Sequence, residues 1–191
     1  MSEAQKPRPK ITGEDSLPGD PSREELIARM IRVDQAGEYG AVRIYEGQLA
    51  VLGRTEAGQA IRGMADKERE HLQAFDRMIA ERGVRPTALA PVWHVAGYAL
   101  GAATALLGER AAMACTVAVE EVIDDHYAKQ AEKLGDDETT LRGKIEEFRA
   151  DELEHRDEAL ARGAEGAPAY EALTTAVKAG SRLAIWLSTR V

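Results

Sequence analysis

The sequence predicts an all-α protein, and three observations support this class. Aromatic residues make up only 5% of the 191 residues, whereas the good helix formers Ala, Leu, Glu and Arg are abundant. β-branched residues occur singly, and an alternation of apolar and polar residues never persists, so we expect no strand. A chain of this length can form one domain with its own hydrophobic core.

Helix start and stop signals divide the chain into five helices and one uncharged segment. Ser22 and Glu25 have the spacing of a capping box, which predicts a first helix that begins there and runs to about Leu52. Gly83 ends the second helix, and Pro168 suits the first turn of the last one. The expected helices after the first are 55–82, 109–134, 137–162 and one from 168 almost to the C-terminus.

Composition excludes several classes of protein. Residues 1–21 contain four prolines between charged residues and no apolar run, so we expect a disordered tail, without a signal peptide, before a domain over 22–191. The single Cys115 excludes a disulfide scaffold and a cysteine-based metal site. Because we expect no signal peptide, we expect the protein in a reducing compartment on the cytoplasmic side. The net charge of −8 argues against nucleic acid as a partner.

Segment 87–108 stands apart because its 22 residues carry no formal charge. Its length allows a membrane span, but many Gly and Ala residues, with Pro91 and His94, make it only weakly hydrophobic. Two alternatives suit it better and stay open: a helix that lies in the membrane interface, or one that is buried between other helices. Gly97 and Gly101 within it have the spacing of close helix packing.

Two of the four histidines occur in the same motif, Glu-x-x-His, formed by Glu68 with His71 and by Glu152 with His155. The spacing places both side chains of each pair on one face of a helix. In both helices this face is the apolar one. An unpaired carboxylate on a buried face is costly, so a compensating partner is expected.

The other two long helices repeat the anomaly with one glutamate each. Glu38 lies on the apolar stripe of the first helix, and Glu120 lies on that of the helix over 109–134. A tyrosine follows seven residues later on the same face in each case, as Tyr45 and Tyr127. Glu121 points about 100° away from Glu120, towards the flank. The chain therefore contains two copies of one helix pair, each with Glu and then Glu-x-x-His.

Four core-facing carboxylates and two imidazoles on four helices form the ligand set of di-iron or di-manganese carboxylate bundles. The set comprises Glu38, Glu68, His71, Glu120, Glu152 and His155. Carboxylates bridge two divalent ions and neutralise their charge, while imidazoles leave positions open for dioxygen. The alternative, four buried salt bridges, has few partners because these faces carry almost no Lys or Arg. The sequence thus predicts a ferritin-like four-helix bundle, with 83–108 as its long crossover and an additional C-terminal helix.

Aspartates near this set are candidates for orienting a ligating histidine. Asp34 and Asp124 lie one turn from Glu38 and Glu120 on nearly the same face. Asp151 ranks behind them for this role.

Several stretches of the chain resemble the demethoxyubiquinone hydroxylase family. They are residues 31–41 (IRVDQAGEYGA), 85–87 (RPT), 112–121 (AMACTVAVEE), 151–155 (DELEH) and 167–170 (APAY). The resemblance extends from about residue 24 to the C-terminus. It is much more specific than Glu-x-x-His alone.

The resemblance implies a membrane-associated di-iron mono-oxygenase that hydroxylates the ring of 2-polyprenyl-3-methyl-6-methoxy-1,4-benzoquinol with dioxygen in ubiquinone biosynthesis. The implied ligands of one iron are Glu38, Glu68 and His71, and those of the other are Glu120, Glu152 and His155. Glu68 and Glu152 would bridge both ions, and His126 and Tyr127 would lie just outside the ligand set. The family also suggests NADH as external reductant and, in mitochondrial members, a lipid-binding partner protein.

A polyprenyl quinol stays in the bilayer, so its enzyme must reach the membrane surface. Segment 87–108 and residues 183–187 are apolar enough for that contact. We therefore expect a peripheral protein, which could form homo-oligomers, on the cytoplasmic face of the cell inner membrane or the matrix face of the mitochondrial one.

Two rival functions stay open. One is a ferritin- or rubrerythrin-like iron oxidase or peroxide scavenger, although no Cys-x-x-Cys module is present and an iron store does not need the uncharged segment. The other is a helical membrane-surface adaptor whose buried Glu and His are structural. A metal assay separates the adaptor from both enzymes.

Overall fold

The structure is a computed structural model that describes residues 20–191, apart from the side chain of Asp137. This range contains six α-helices, two short 3₁₀ turns and no strand, which confirms the all-α prediction. The helices are α1 (Arg23–Leu52), α2 (Ala57–Arg82), α3 (Ala90–Leu106), α4 (Glu109–Lys133), α5 (Thr139–Ala161) and α6 (Tyr170–Ser188). Residues 1–19 of the expected tail lie outside the described residues.

The signals at the helix ends explain most of these boundaries. The Ser22 hydroxyl accepts a hydrogen bond from the Glu25 N–H, and the Glu25 carboxylate accepts one from the Ser22 N–H, as a capping box requires. Gly83 ends α2 in the left-handed conformation, with φ of 62°. The predictions for both positions are confirmed.

Three helices begin two residues later than predicted. The Thr55 hydroxyl donates to the Leu52 carbonyl in the turn before α2, and a 3₁₀ turn over Asp136–Glu138 precedes α5. Before α6, Ala169 adopts a left-handed φ of 51°. Pro168 therefore precedes the left-handed residue Ala169 and lies before the first turn of α6.

The helices form the predicted four-helix bundle with two additions. α1 packs against α2 and α4 packs against α5, so each copy of the sequence repeat is one helix pair. α3 lies in the crossover between the pairs and packs on α1, while α6 packs on α4. This order of pair, long crossover and pair is the ferritin-like topology.

α3 lies against α1 with one side and is open on the other. A Cβ atom at Gly101 would lie only 1.9 Å from the Ile44 carbonyl oxygen, and one at Gly97 would lie 2.9 Å from the Gly40 carbonyl oxygen. Only glycine permits so close an approach of two helix backbones. On the open side, Val95 is 66% exposed. A helix buried on all sides is therefore wrong for this segment.

No helix among residues 20–191 has the length and apolar character needed to cross a membrane. The location of α3 in a membrane interface stays a prediction.

A polar layer divides the core of the bundle. One apolar cluster contains Ile31, Phe75, Ile123 and Phe148, and the other contains Ile61, Met64, Met113 and Ala159. In each of the four bundle helices, the predicted ligands lie between residues of the two clusters. The fold thus surrounds the six polar side chains with apolar material at both ends.

Candidate metal centre

All six predicted ligands meet in the polar layer, and all six are buried. They form two overlapping groups, in each of which the potential ligand atoms lie within 4.8 Å of one another. The groups are Glu38, Glu68, His71 and Glu152, and Glu68, Glu120, Glu152 and His155. Glu68 and Glu152 belong to both groups, which is the position that bridging carboxylates need.

The two imidazoles face the carboxylates through the same ring atom. His71 Nδ1 lies 3.2 Å from Glu152 Oε1 and 3.6 Å from Glu38 Oε2. His155 Nδ1 lies 3.0 Å from Glu68 Oε1 and 3.4 Å from Glu152 Oε2. The two Nδ1 atoms are therefore the candidate nitrogen ligands.

Eight polar atoms at the centre have no hydrogen-bond partner among the described residues 20–191. They are Glu38 Oε2, Glu120 Oε2, both carboxylate oxygens of Glu68 and of Glu152, and Nδ1 of His71 and His155. Nearly all buried polar atoms in proteins are hydrogen-bonded, so eight unpaired ones converging on one place require an explanation. Oxygen and nitrogen donors in these numbers fit a pair of divalent metal ions.

Salt bridges to Lys or Arg do not account for these carboxylates. Within residues 20–191, no Lys or Arg side chain forms an ion pair with Glu38, Glu68, Glu120 or Glu152. Apart from the two imidazoles, their negative charge has no cationic partner in this range, which fits the binding of metal ions.

In the absence of metal, burial is the main cause of raised pKa values at Glu68, Glu120 and Glu152. Burial, followed by the charge of Glu152, raises the pKa of Glu68 well above its usual range, and burial likewise raises those of Glu120 and Glu152. Burial opposes the charged form of His71, but its contacts with Glu152 and Glu38 prevail and raise its pKa to about 10. Burial lowers the pKa of His155. Divalent ions that enter the centre would displace these protons.

Each tyrosine predicted near the metal layer donates a hydrogen bond to a glutamate of the other repeat. The Tyr45 hydroxyl donates to Glu120 Oε1 over 2.7 Å, and the Tyr127 hydroxyl donates to Glu38 Oε1. Both tyrosines are buried. Sequence reasoning proposed only Tyr127 for the site, although the identical spacing of Tyr45 from Glu38 was a signal for both.

The aspartate that contacts a candidate ligand is the one ranked last. Asp151 Oδ2 lies 3.0 Å from His71 Nε2, on the side of the ring away from the carboxylate cluster. The expectation for Asp124 is wrong, because Asp124 accepts a hydrogen bond from Arg149 Nε over 2.6 Å. Helical phase ranked Asp151 last because this residue lies on α5 and its side chain reaches across to His71 on α2.

Asp34 orients a histidine outside the ligand set. Asp34 Oδ1 lies 3.0 Å from His126 Nε2 and accepts a hydrogen bond from Gln130 Nε2 over 2.8 Å. The expectation that Asp34 orients a ligating histidine is therefore wrong. His126 is partly exposed and lies beside Tyr127 outside the metal layer, as the resemblance implied.

An apolar cavity of about 420 Å³ adjoins the cluster at Glu38 and Tyr127. It lies between α1, α3, α4 and α6. The cavity exists because the helices around it carry small residues along its walls. These residues are Gly37, Gly40, Ala41, Ala96, Gly97, Gly180 and Ala184. Trp93 Nε1 on α3 donates to Ser188 Oγ on α6 over 3.0 Å, which ties together two walls of the cavity.

A second cavity of about 460 Å³ adjoins the first and is strongly basic. Its lining includes Arg23, Arg29, Lys129, Lys133, Arg182 and Arg190, with Asp125 as its one carboxylate. Val33, His126 and Ile185 line both cavities. In a chain with net charge −8, this concentration of positive charge is suited to an anionic ligand.

Comparison with known proteins agrees with this geometry. Residues 25–188 match the family model described as ubiquinone biosynthesis protein COQ7. The chain is 61% identical over 181 residues to 3-demethoxyubiquinol 3-hydroxylase of Rhodospirillum rubrum, covering 94% of this chain and 85% of the relative.

Two eukaryotic relatives extend the comparison. The chain is 52% identical over 169 residues to the human NADPH-dependent 3-demethoxyubiquinone 3-hydroxylase, mitochondrial, covering 86% and 78% of the two chains. It is 38% identical over 183 residues to the Saccharomyces cerevisiae 5-demethoxyubiquinone hydroxylase, mitochondrial, covering 87% and 78%. With nearly its whole helical domain matched by the family model, the chain belongs to the COQ7 family of ubiquinone biosynthesis proteins.

Proposed function

We propose that this protein is a di-iron mono-oxygenase that hydroxylates the ring of a polyprenyl methoxy benzoquinol in ubiquinone biosynthesis. The observation that carries the proposal is the apolar cavity, which adjoins the carboxylate–imidazole cluster at Glu38 and Tyr127. A metal store or peroxide scavenger acts on small polar species and needs no such cavity. The names of the relatives, which specify demethoxyubiquinol or demethoxyubiquinone, support the substrate class.

The proposed iron ligands are the six residues of the two overlapping groups, with Glu68 and Glu152 shared by both ions. When bound, the two irons supply the redox chemistry that activates dioxygen. The hydroxyls of Tyr45 and Tyr127 hold Glu120 and Glu38 in place through hydrogen bonds. The small residues of the cavity bind a flat ring and exclude water beside the centre.

The reaction also consumes two electrons and two protons, because one oxygen atom enters the ring and the other leaves as water. We propose a reduced nicotinamide dinucleotide as the donor, since a hydride carries both electrons and one proton. The basic cavity is suited to bind the phosphates of this dinucleotide. A superficial contact of this kind does not require a Gly-rich dinucleotide-binding motif. The side chain of His126 lies between this cavity and the apolar one, with Asp34 and Gln130 fixing its ring.

The test is a product assay with the purified, iron-loaded protein. The protein should convert a short-chain demethoxy benzoquinol to the hydroxylated quinol with NADH or NADPH. When the dioxygen is isotopically labelled, one labelled atom should appear in the new hydroxyl group. Mass spectrometry of the quinol checks this. Iron oxidation or peroxide consumption without any ring product would instead support the ferritin- or rubrerythrin-like function.

Membrane contact is part of the proposal, because the substrate tail is confined to the bilayer. Val92 and Val95 on α3 and Leu183 and Trp186 on α6 are each at least half exposed. The Trp93–Ser188 hydrogen bond joins the same two helices beside the cavity. We propose that this apolar face lies in the interface of the inner membrane, on its cytoplasmic or mitochondrial matrix side, so that the substrate enters laterally.

Replacing Val95 and Leu183 together by Asp should release the protein from vesicles of neutral phosphatidylcholine. Burying each apolar side chain stabilises binding by about 1.5 kcal/mol, so we expect roughly 100-fold weaker partitioning. Iron content should not change, because both residues are exposed. A vesicle flotation assay measures the partitioning.

The matched control places the same two charges on α2, which contacts neither α3 nor α6 appreciably. Gln73 and Ala80 are exposed there, and their replacement by Asp should leave partitioning intact. Equal binding of all three proteins would contradict the assignment of the membrane face.

A further inference from the structure

The residues directly before the two Glu-x-x-His motifs carry opposite charges. Lys67 directly precedes Glu68, and Asp151 directly precedes Glu152, so the two residues correspond in the sequence repeat. They also meet in space, with Lys67 Nζ 3.3 Å from Asp151 Oδ2. One half of the centre therefore carries a carboxylate where the other carries a cation.

Only one of the two candidate histidine ligands has a carboxylate behind it. Asp151 Oδ2 lies 3.0 Å from His71 Nε2, while His71 Nδ1 faces the cluster. Within residues 20–191, the carboxylates that contact His155 do so through Nδ1. Lys67, the counterpart of Asp151, is a cation and cannot accept a hydrogen bond from the outer nitrogen of an imidazole.

Packing increases the difference between the two imidazoles. The His71 ring stacks on Phe148 at 4.0 Å between centroids, whereas the His155 ring meets Tyr45 edge-on at 6.4 Å. The His71 side chain is 1% exposed and that of His155 is 8% exposed. His71 is thus held by a hydrogen bond and a closely stacked ring, whereas the nearest ring that stacks on His155 is His71 itself, at 6.5 Å between centroids.

We propose that the two metal positions are unequal, and that the position beside His71 binds its ion more tightly and is filled first. Asp151 is the positioning residue, because a carboxylate behind a ligating imidazole fixes its tautomer and orientation and increases its basicity. Lys67, at the equivalent position of the other repeat, offers His155 no such acceptor. This inference rests on the metal centre of the proposed function and adds an order of loading to it.

The test is an anaerobic titration of the metal-free protein with Co²⁺, followed by calorimetry and by visible absorption. The wild-type chain should bind two ions in separate steps. Asp151→Ala and the milder Asp151→Asn should weaken the first step by about 10- to 100-fold, the usual effect of losing such an outer partner. The second step should change much less.

Two ligand variants assign the steps to positions. His155→Ala should retain the tight step, whereas His71→Ala should lose it. The matched control is Glu154→Gln on the same helix, which removes an exposed carboxylate that points away from the centre. It should leave both steps as they are.

Each outcome separates the order of loading from the function itself. Two equal steps in the wild type, or a first step that neither Asp151 variant weakens, would overturn the inference and leave the di-iron proposal standing. Retention of the tight step in His71→Ala and its loss in His155→Ala would also overturn it. A protein that binds no Co²⁺ would overturn both proposals.

Discussion

Glu120→Gln should abolish hydroxylation and lower the iron content, whereas Glu121→Gln should leave both nearly unchanged. Glu120 is buried in the second ligand group and accepts a hydrogen bond from Tyr45. The amide keeps the shape of the side chain but removes the negative charge that a metal ion requires. We expect a loss beyond the roughly 10- to 100-fold that removal of an outer partner causes.

Glu121 is the matched control because it differs only by one position on α4. Its carboxylate forms an ion pair with Lys178 of α6 and lies outside the ligand groups. Iron per chain and quinol product are measured for both variants. Loss of iron in Glu121→Gln with retention in Glu120→Gln would show that the ligand assignment on α4 is wrong.

Ala96→Trp should stop turnover without removing iron. Ala96 lies on α3 and lines the apolar cavity, so an indole there occupies the space that the substrate ring needs. Displacement of a ring from its reactive position by about 1 Å is enough to slow a reaction roughly 100-fold, and we expect at least this loss in kcat/KM. Product formation and iron content are measured on the same sample.

Ala99→Trp provides the control for this variant. Ala99 is exposed on the same helix but is not part of the cavity lining, so turnover should persist. Full activity of Ala96→Trp would place the substrate elsewhere, and loss of iron from it would show that the indole disturbs the bundle instead of the cavity.

Much of the metal centre could be predicted from sequence because its pattern is local. Glu68 and His71 share one helix, as do Glu152 and His155, and the 3.6-residue period decides which face they occupy. The same period turns Glu70 and Glu154 away from these faces, and both are exposed. The repeat of Glu and Glu-x-x-His then predicted a four-helix bundle, which the structure confirms.

Periodicity within one helix specifies which side chains face inwards, so five of the six helices and all six candidate ligands could be predicted from the residues alone. Three features became apparent only in the folded chain. Asp151 contacts His71, the Tyr45 hydroxyl donates a hydrogen bond to Glu120, and Ala96 lines the apolar cavity. These contacts join residues on different helices. They depend on how far each helix is shifted and rotated against its neighbour, which a pattern within one helix does not specify.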